Sequence, residues 1–238
     1  MVFLAFSFCC NMNAQGFRIY KNGAVIGTYT TEKFDSISFF QNIEYGIIDL
    51  GLPSGTLWAD KNVGAVEMWE NGYYVAWGET TEKNDYSLPN YKWCVFQDYE
   101  NFYYTKYTQQ DNLQKLTPED DVASIIMGTE WSTPTQEEWE ELFMYCTWQW
   151  ATTHPGEKDG YVVIGPNGRG LFLPASGRID QTINTDLNMF GCYWTTNRAG
   201  LLSGKEIYAY EFYFSADFKK IANTNREAGL TVRAVKRK

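Results

Sequence analysis

The sequence is poor in the residue types on which most catalytic and metal sites depend. It contains one histidine, His154, and five cysteines among 238 residues. A histidine-dependent nucleophile would have to use His154, which lies in a polar loop and has the character of a surface residue. The cysteines fit no zinc spacing and are too few for a disulfide scaffold. The sequence therefore predicts a non-enzymatic protein without a cofactor or metal centre, although a structural calcium held by loop carbonyls would leave no signature.

Positive charge and long apolar runs are also scarce. Lys and Arg number 20 against 29 Asp and Glu, which gives a net charge of -9. The only basic cluster is formed by the last three residues. Nucleic acid and anionic lipid are therefore not expected as partners. No run approaches the roughly 20 apolar residues that cross a bilayer, so no transmembrane segment is predicted.

One apolar run stands out, at the N-terminus. Residues 1–8 are almost entirely apolar, and the polar residues 11–15 follow. This arrangement is typical of the later part of a signal peptide, and a short buried strand is the alternative. Phe8 stands where a lipobox needs a small residue, which disfavours a lipid anchor. We expect residues 1–15 to be a signal-peptide remnant, and the mature protein to be secreted, displayed on the outer-membrane surface or periplasmic.

Aromatic residues are abundant, with 9 Trp, 17 Tyr and 15 Phe. Because aromatic side chains pack well on pleated surfaces, this composition favours a β-rich core. Residues 16–43 resemble a small β-hairpin unit, since alternating runs flank the turn signal Asn22-Gly23 and a third run follows at 35–40. Such a unit is marginally stable alone, so it either docks on the main domain, residues 44–238, or pairs with another chain.

Two helices are predicted in the main domain. Thr117 followed by Pro118 predicts the start of a helix that ends at Gly128. Thr135 and Glu138 form a capping box, which predicts a second helix from there to about residue 145. The apolar face of that helix would consist of Trp139, Leu142 and Phe143.

Most of the remaining hydrophobic patterning of the sequence is typical of β-strands. The strongest strand predictions are 47–50, 56–59, 72–77, 146–150, 160–164, 171–173, 191–196, 207–215 and 230–235. Residues 79–111 lack such periodicity and are predicted to be a long loop packed by its aromatic side chains.

Several motifs occur in a fixed order along residues 44–236. They are IDLGLPSGTLWA from Ile48, YVAWGET from Tyr74, WSTPTQEEWEEL from Trp131, GPNG from Gly165, FLPASG from Phe172, YWTT from Tyr193 and GLTVRAV from Gly229. Together they resemble the Fibrobacter succinogenes major paralogous domain of Bacteroidetes surface and secreted proteins. The resemblance implies an α+β, C-type-lectin-like domain related to formylglycine-generating enzymes, with two helices and a twisted antiparallel sheet. It also implies that residues 47–50 pair with residues 230–235.

Candidate binding residues come from two sources. Tyr91 and Trp93, in the long loop, either pack that loop or contact a partner, and the sequence leaves both options open. The resemblance adds Trp194, Arg198, Tyr213 and Asp217, because the region around the strand 193–196 forms the usual binding face of a C-type-lectin-like domain. The tryptophans inside regular motifs are expected in the core; these are Trp58, Trp77, Trp131, Trp139 and Trp194.

Three functions are consistent with the sequence. The first is an exported binding or adhesive module that recognises a glycan or a protein at the cell surface. The second is a structural component of a surface assembly such as a pilus tip, in which the hairpin unit would add to a neighbour's sheet. The third is an oxidase like the formylglycine-generating enzymes, which use a pair of cysteines late in the domain. Only Cys192 follows Cys146 here, so the third is the weakest.

Overall fold

The computed structural model describes residues 16–21, 24–30, 43–153, 158–200 and 206–238. The predicted signal peptide, the third strand of the hairpin unit and His154 lie outside these residues. The chain forms a small unit, Met1–Asn42, and a large unit, Ile43–Lys238. In the small unit, strands β1 (Gly16–Lys21) and β2 (Ala24–Thr30) pair in an antiparallel ladder.

Small antiparallel sheets and two α-helices make up the described part of the large unit, an organisation compatible with the predicted α+β class. The helices are α1 (Val122–Met127) and α2 (Gln136–Tyr145). The strands in chain order are β3 (Ile47–Asp49), β4 (Leu57–Ala59), β5 (Cys94–Phe96), β6 (Phe102–Tyr104), β7 (Trp131–Ser132), β8 (Thr147–Thr152), β9 (Asp159–Ile164), β10 (Gly170–Pro174), β11 (Arg178–Asp180), β12 (Ile183–Thr185), β13 (Gly191–Arg198), β14 (Tyr208–Phe214), β15 (Lys219–Asn225) and β16 (Val235–Lys236).

The strands form several sheets rather than one. Their orders are β3-β4-β16-β7, β10-β9-β8, β13-β14-β15, β11-β12 and β5-β6. The hairpin predicted around the GPNG turn is confirmed, because β9 and β10 pair on either side of it. The sequence of β15 has no strong alternation of polar and apolar residues, and this strand was not predicted. No helix among the described residues is long and apolar enough to cross a membrane.

The pairing predicted between the first and last strands is wrong. Strand β4 lies between β3 and β16, with Trp58 opposite both Ile48 and Val235. The predicted strand 230–235 is also shorter than expected, since regular pairing covers only Val235–Lys236. Leu230 and Thr231 make single bridges to Val75 and Tyr193 instead. The chain therefore crosses between sheets in this segment, which limits regular strand pairing.

Helix α2 confirms the predicted capping box. The Thr135 hydroxyl accepts a hydrogen bond from the Glu138 backbone N–H at 3.2 Å, and the Glu138 carboxylate accepts one from the Thr135 N–H at 2.7 Å. Trp139 and Leu142 are buried, as the apolar face predicts. The indole of Trp139 packs against Trp58, with ring centroids 4.8 Å apart, and against Phe212 at 4.5 Å. This cluster holds α2 against the sheet β13-β14-β15.

The first helix begins later than predicted. Pro118–Asp120 form a 3₁₀ turn, and α1 follows it with Asp121 as the N-cap. The Asp121 carboxylate accepts hydrogen bonds from the Ala123 N–H at 3.0 Å and the Thr133 N–H at 2.8 Å. These contacts anchor the helix start to the residue that follows β7. Gly128 ends α1 with a φ of 104°, which favours glycine and agrees with the predicted end.

All five motif tryptophans are buried, as predicted. Within the long aromatic segment, Tyr86, Tyr91, Tyr104 and Tyr107 are buried, whereas Tyr99 and Tyr103 are exposed. The segment is less irregular than expected, because it contains a 3₁₀ turn at Leu88–Asn90 and the two-stranded sheet β5-β6. Packing therefore accounts for some of its aromatic residues and leaves others at the surface.

The aromatic cluster around α2 gives the first testable prediction. The ring of Trp139 packs against both Trp58 and Phe212. Because Trp139→Ala removes these contacts, we expect the free energy of unfolding to fall by about 3–5 kcal/mol. Tyr103→Ala, which removes an exposed ring, is the control and should change stability by less than about 1 kcal/mol. Urea denaturation followed by circular dichroism measures both. Equal stability of the two variants would contradict this packing.

Candidate functional site

An open groove of about 580 Å³ lies on the outer side of the long aromatic segment. Its walls come from the turn before β5, the start of β6, the end of β11, the start of β14 and the turn after β15. The aromatic residues that line it are Tyr86, Tyr99, Phe102 and Tyr208. Four of the lining residues have charged or amide side chains, namely Asp180, Gln181, Asn225 and Glu227. The groove thus combines flat apolar faces with hydrogen-bonding groups, as ligand sites commonly do.

Tyr86 forms the inner part of the groove wall. Its backbone N–H donates to the Gln181 carbonyl at 2.7 Å, and its hydroxyl donates to the Tyr74 carbonyl. Gly229 lies directly against its ring, and a Cβ at that position would come within 2.7 Å of a ring carbon. A glycine is therefore required there, because any side chain would push Tyr86 out of the wall.

Arg226 holds the same wall from inside the protein. Its guanidinium is fully buried and donates to the carbonyls of Lys106 at 2.9 Å, Glu206 at 3.3 Å and Tyr107 at 3.4 Å. Its Nε donates to the Tyr91 hydroxyl at 3.1 Å. These bonds join the long loop to the segment that enters β14, and both line the groove.

Aromatic rings complete the environment of Arg226. The guanidinium carbon lies 4.7 Å from the ring centroid of Tyr104, 5.0 Å from that of Trp77 and 5.4 Å from that of Tyr91. At these distances a cation is attracted to the ring faces. Phe102 and Ile207, which line the groove, pack against the cluster that contains Tyr91 and Tyr104. The groove therefore lies over a layer of packed aromatic rings.

The aromatic rings of the groove differ in exposure. Tyr99 is 71% exposed, and its ring meets Phe96 edge-on at 5.1 Å. Phe102 and Tyr208 are half-buried, whereas Tyr86 is buried. The groove thus presents rings at several depths, and the most exposed one lies on the loop between β5 and β6.

Glu227 is the most unusual polar residue of the groove. Its Oε2 is buried and has no hydrogen-bond partner among the described residues. Burial raises the pKa of the Glu227 carboxyl above its ordinary value, against the opposing effects of a hydrogen bond from its own backbone N–H and of Arg226 and Lys83, and Asp180 adds to the rise. The Tyr104 hydroxyl is likewise buried without a partner, and Glu227 contributes to the raised pKa of Tyr104, after burial. The Oε2 of Glu227 and the hydroxyl of Tyr104 are therefore two buried polar groups without a hydrogen-bond partner in the described part of the chain.

A second polar cluster joins the groove to the sheet of β13, β14 and β15. The Arg178 guanidinium lies 3.6 Å from the Asp186 carboxylate and 3.8 Å from those of Asp180 and Glu211. Glu211 is 3% exposed, and its Oε2 has no hydrogen-bond partner within the described part of the chain. Burial raises the pKa of Glu211 to about 7, Arg178 opposes the rise, and Asp180 adds to it. Arg178 therefore positions Asp180 at the groove while it partly balances a buried acid.

Two of the predicted site residues belong to the long loop, and neither lines the groove. Tyr91 is 2% exposed and donates its hydroxyl to the Trp77 carbonyl at 2.6 Å. Trp93 is half-buried; its indole N–H donates to the Gly78 carbonyl at 2.9 Å, and Lys92 and Lys106 lie over its ring at 4.2 and 5.0 Å. Tyr91 is therefore a packing residue, because a buried ring does not reach an external ligand.

The other four candidates are not brought together in one cavity. Trp194 is 1% exposed and bonds the Val75 carbonyl, so it is a core residue and not part of a binding face. The largely buried side chain of Arg198 bonds Gln114 at 3.1 Å. Tyr213 is half-buried and stacks on Phe190, with ring centroids 5.2 Å apart. Asp217 is exposed in the turn between β14 and β15.

The described cysteines do not form a disulfide. Cys94, Cys146 and Cys192 are all free thiols. Cys192 is fully buried, and burial raises its pKa well above the ordinary value, with Glu211 as the next cause. A thiolate nucleophile needs the opposite environment, with a lowered pKa and some exposure.

Sequence reasoning missed the groove residues for a specific reason. Asp180, Tyr208 and Glu227 lie far apart in the sequence and in no shared motif, so only the fold brings them together. The signal that was available was Tyr99, an aromatic residue of the predicted loop 79–111, which has less reason to be buried than an aromatic residue in a regular motif. Within residues 43–153, 158–200 and 206–238, no three His, Cys, Asp or Glu side chains form a group that could hold a metal ion.

No protein-family model matches the chain, and no curated protein or solved structure matches it significantly. The suspected family is therefore a hypothesis supported by the sequence motifs.

The buried environment of Arg226 gives the second prediction. Arg226→Met leaves the carbonyls of Lys106, Tyr107 and Glu206 without a donor, and each such group costs about 1–3 kcal/mol. We expect a loss of at least about 3 kcal/mol in the free energy of unfolding. The control is Arg237→Met, which removes a half-exposed arginine paired with Glu138 and should cost about 1 kcal/mol or less. A similar loss in both variants, measured by urea denaturation, would contradict the role of Arg226.

The raised pKa of Glu211 gives the third prediction. Its pKa is about 7 in the folded chain against 4.5 ordinarily, so folding favours the protonated acid. The associated stability is fully present below pH 4.5 and is lost as the pH rises through about 7. Because each pKa unit corresponds to about 1.4 kcal/mol, the wild-type chain should lose about 3 kcal/mol relative to Glu211→Gln between about pH 4.5 and pH 8.

Urea denaturation at several pH values measures this difference. The exposed Glu140 supplies the matched control, since Glu140→Gln makes the same chemical change at the surface and should follow the wild-type pH dependence. Parallel pH curves for the wild type and Glu211→Gln would show that Glu211 does not titrate in this range.

Proposed function

We propose that the chain is an exported, non-enzymatic binding module that takes a glycan in the groove of Tyr99, Tyr208 and Glu227. The observation that supports this proposal most strongly is the combination of aromatic rings with buried and exposed polar groups in one open concavity. Sugars have apolar faces that stack on aromatic rings and hydroxyl groups that bond carboxylates and amides. A groove open to solvent admits part of a longer glycan chain.

The polar residues of the groove fit sugar hydroxyl groups. Asn225 and Gln181 have exposed side chains that offer both donors and acceptors, and the half-buried side chain of Glu227 adds a carboxyl group to the lining. Sugar hydroxyl groups can donate to and accept from such side chains. These groups favour a polar ligand over a purely apolar one.

The proposal extends to the family and the location of the protein. The ordered motifs support a C-type-lectin-like domain of the Fibrobacter succinogenes major paralogous type. The apolar run at residues 1–8 supports export to the cell surface, the extracellular medium or the periplasm. The buried, high-pKa thiol of Cys192 gives no support to an oxidase of the formylglycine-generating type.

A structural role in a surface assembly is the second candidate, and the small unit favours it. Strands β1 and β2 form a two-stranded sheet, and no third strand pairs with them within the described residues. A two-stranded sheet is marginal by itself and gains stability when another strand is added. A chain with this role would bind a neighbouring protein and no sugar.

The fourth prediction tests glycan binding with the full chain. On a glycan array we expect binding to a subset of sugars, and Tyr99→Ala or Tyr208→Ala should weaken it about tenfold because each variant removes a stacking face. Tyr103→Ala is the matched control, since Tyr103 is 62% exposed on the same β5-β6 ribbon but does not line the groove. An array without binding, or binding that is lost only in Tyr103→Ala, would refute the proposed site.

A further inference from the structure

The groove carries negative charge without a basic residue among its described lining. Its two carboxyl groups are those of Asp180 and Glu227, and its other polar side chains are uncharged. Asp180 raises the pKa of Glu227, so the two groups interact repulsively when both are ionised. A bound ligand therefore meets an acidic surface, on a chain that is itself acidic.

Two cations that act on Glu227 are already bound to other groups. The Lys83 ammonium donates to the Glu79 carboxylate at 2.8 Å and to the Asn90 carbonyl at 3.0 Å. The Arg226 guanidinium is directed at buried carbonyls and aromatic rings. Neither side chain makes a hydrogen bond to Glu227 in the described structure.

Arg178 compensates Asp180 only in part. Its guanidinium is shared among Asp180, Asp186 and Glu211, at separations of 3.6 to 3.8 Å. Asp180 is itself 56% exposed, so a ligand can reach its carboxylate. One guanidinium facing three carboxyl groups leaves the cluster with negative charge when these acids are ionised.

These observations distinguish between ligand chemistries. A neutral sugar would leave the negative charge of the groove unbalanced, and an acidic sugar would be repelled. A protonated amine supplies three N–H donors together with the opposite charge. The faces of Tyr99, Phe102 and Tyr208 also attract cations.

Building on the proposed function, we propose that the groove prefers an amino sugar with a free, protonated amine over neutral and acidic sugars. Asp180 and Glu227 would bind the ammonium group, and the rings of Tyr99 and Tyr208 would contact the sugar. A sugar fits better than a lysine side chain, because the groove has aromatic faces on three separate elements, enough for a ring-sized ligand. A lysine-bearing peptide is the competing ligand in the test.

The experiment compares two matched ligands on the full chain by isothermal titration calorimetry. The probes are a glucosamine disaccharide with free amines and the same disaccharide N-acetylated, at about pH 6. Since a hydrogen bond between charged groups is stronger than one between neutral groups, the free-amine sugar should bind at least about tenfold more tightly. Added salt should reduce this preference.

Three variants identify the source of the preference. Glu227→Gln and Asp180→Asn should each bring the two affinities closer together, because each removes an acidic group from the groove. Glu140→Gln makes the same change as Glu227→Gln at an exposed position of α2 outside the groove and should keep the full preference. It thereby controls for general attraction of a cation to an acidic chain.

Each other outcome overturns a defined part of the proposal. If the acetylated sugar binds as tightly as the free amine, or a lysine peptide binds more tightly than either, the amino-sugar preference is wrong. Glycan binding in the groove still stands if any neutral sugar binds and Tyr99→Ala weakens it. If no sugar binds at all, the proposed function fails together with the preference. If Glu140→Gln loses the preference as Glu227→Gln does, the effect is general charge and the groove carboxyl groups do not select the ligand.

Discussion

The guanidinium of Arg226 is buried against carbonyl oxygens and aromatic faces, with the carbonyls of Lys106, Tyr107 and Glu206 as acceptors. Burying an unpaired charge costs several kcal/mol, so this arrangement is stable only while all these acceptors stay in place. The loop before α1 and the start of β14 are therefore held at fixed positions by one side chain. Arg233 does the same for another part of the core through the carbonyls of Ala59, Asp60 and Phe172, and burial lowers its pKa to about 10, which leaves it charged at neutral pH.

The position of Arg226 also explains how the groove is built. Its neighbour Glu227 lines the groove, so the turn after β15 places a cation in the core and an acid at the groove. The aromatic layer around Arg226 supports Phe102 and Ile207 from beneath. Core stability and groove geometry therefore depend on the same contacts. This differs from sites on independent loops, in which a binding residue can move without a large cost to the fold.

Local patterns predicted local structure well in this chain. The capping box at Thr135, the glycine that ends α1 and the β9–β10 hairpin are each determined by residues a few positions apart, and all three were predicted correctly. Contacts between residues that lie far apart in the sequence were not predictable in the same way. Tyr91 and Tyr99 look alike in the sequence, but Tyr91 is buried because Arg226, 135 positions away, donates to its hydroxyl. The position of β4 between β3 and β16 likewise depends on pairing that no alternation pattern specifies.

Two buried acids of this protein lie in different surroundings. Glu211 and Glu227 both have raised pKa values because of burial, and both have a carboxyl oxygen without a partner in the described structure. Glu211 is enclosed in the sheet, so protonation of its carboxyl lowers the cost of burial, and the stability of the fold is expected to depend on pH. Glu227 lines the open groove, so the proposed function gives its carboxyl group a role in binding as well. Burial of an acid therefore acts on stability at Glu211, and under the proposed function it also affects the affinity for a ligand at Glu227.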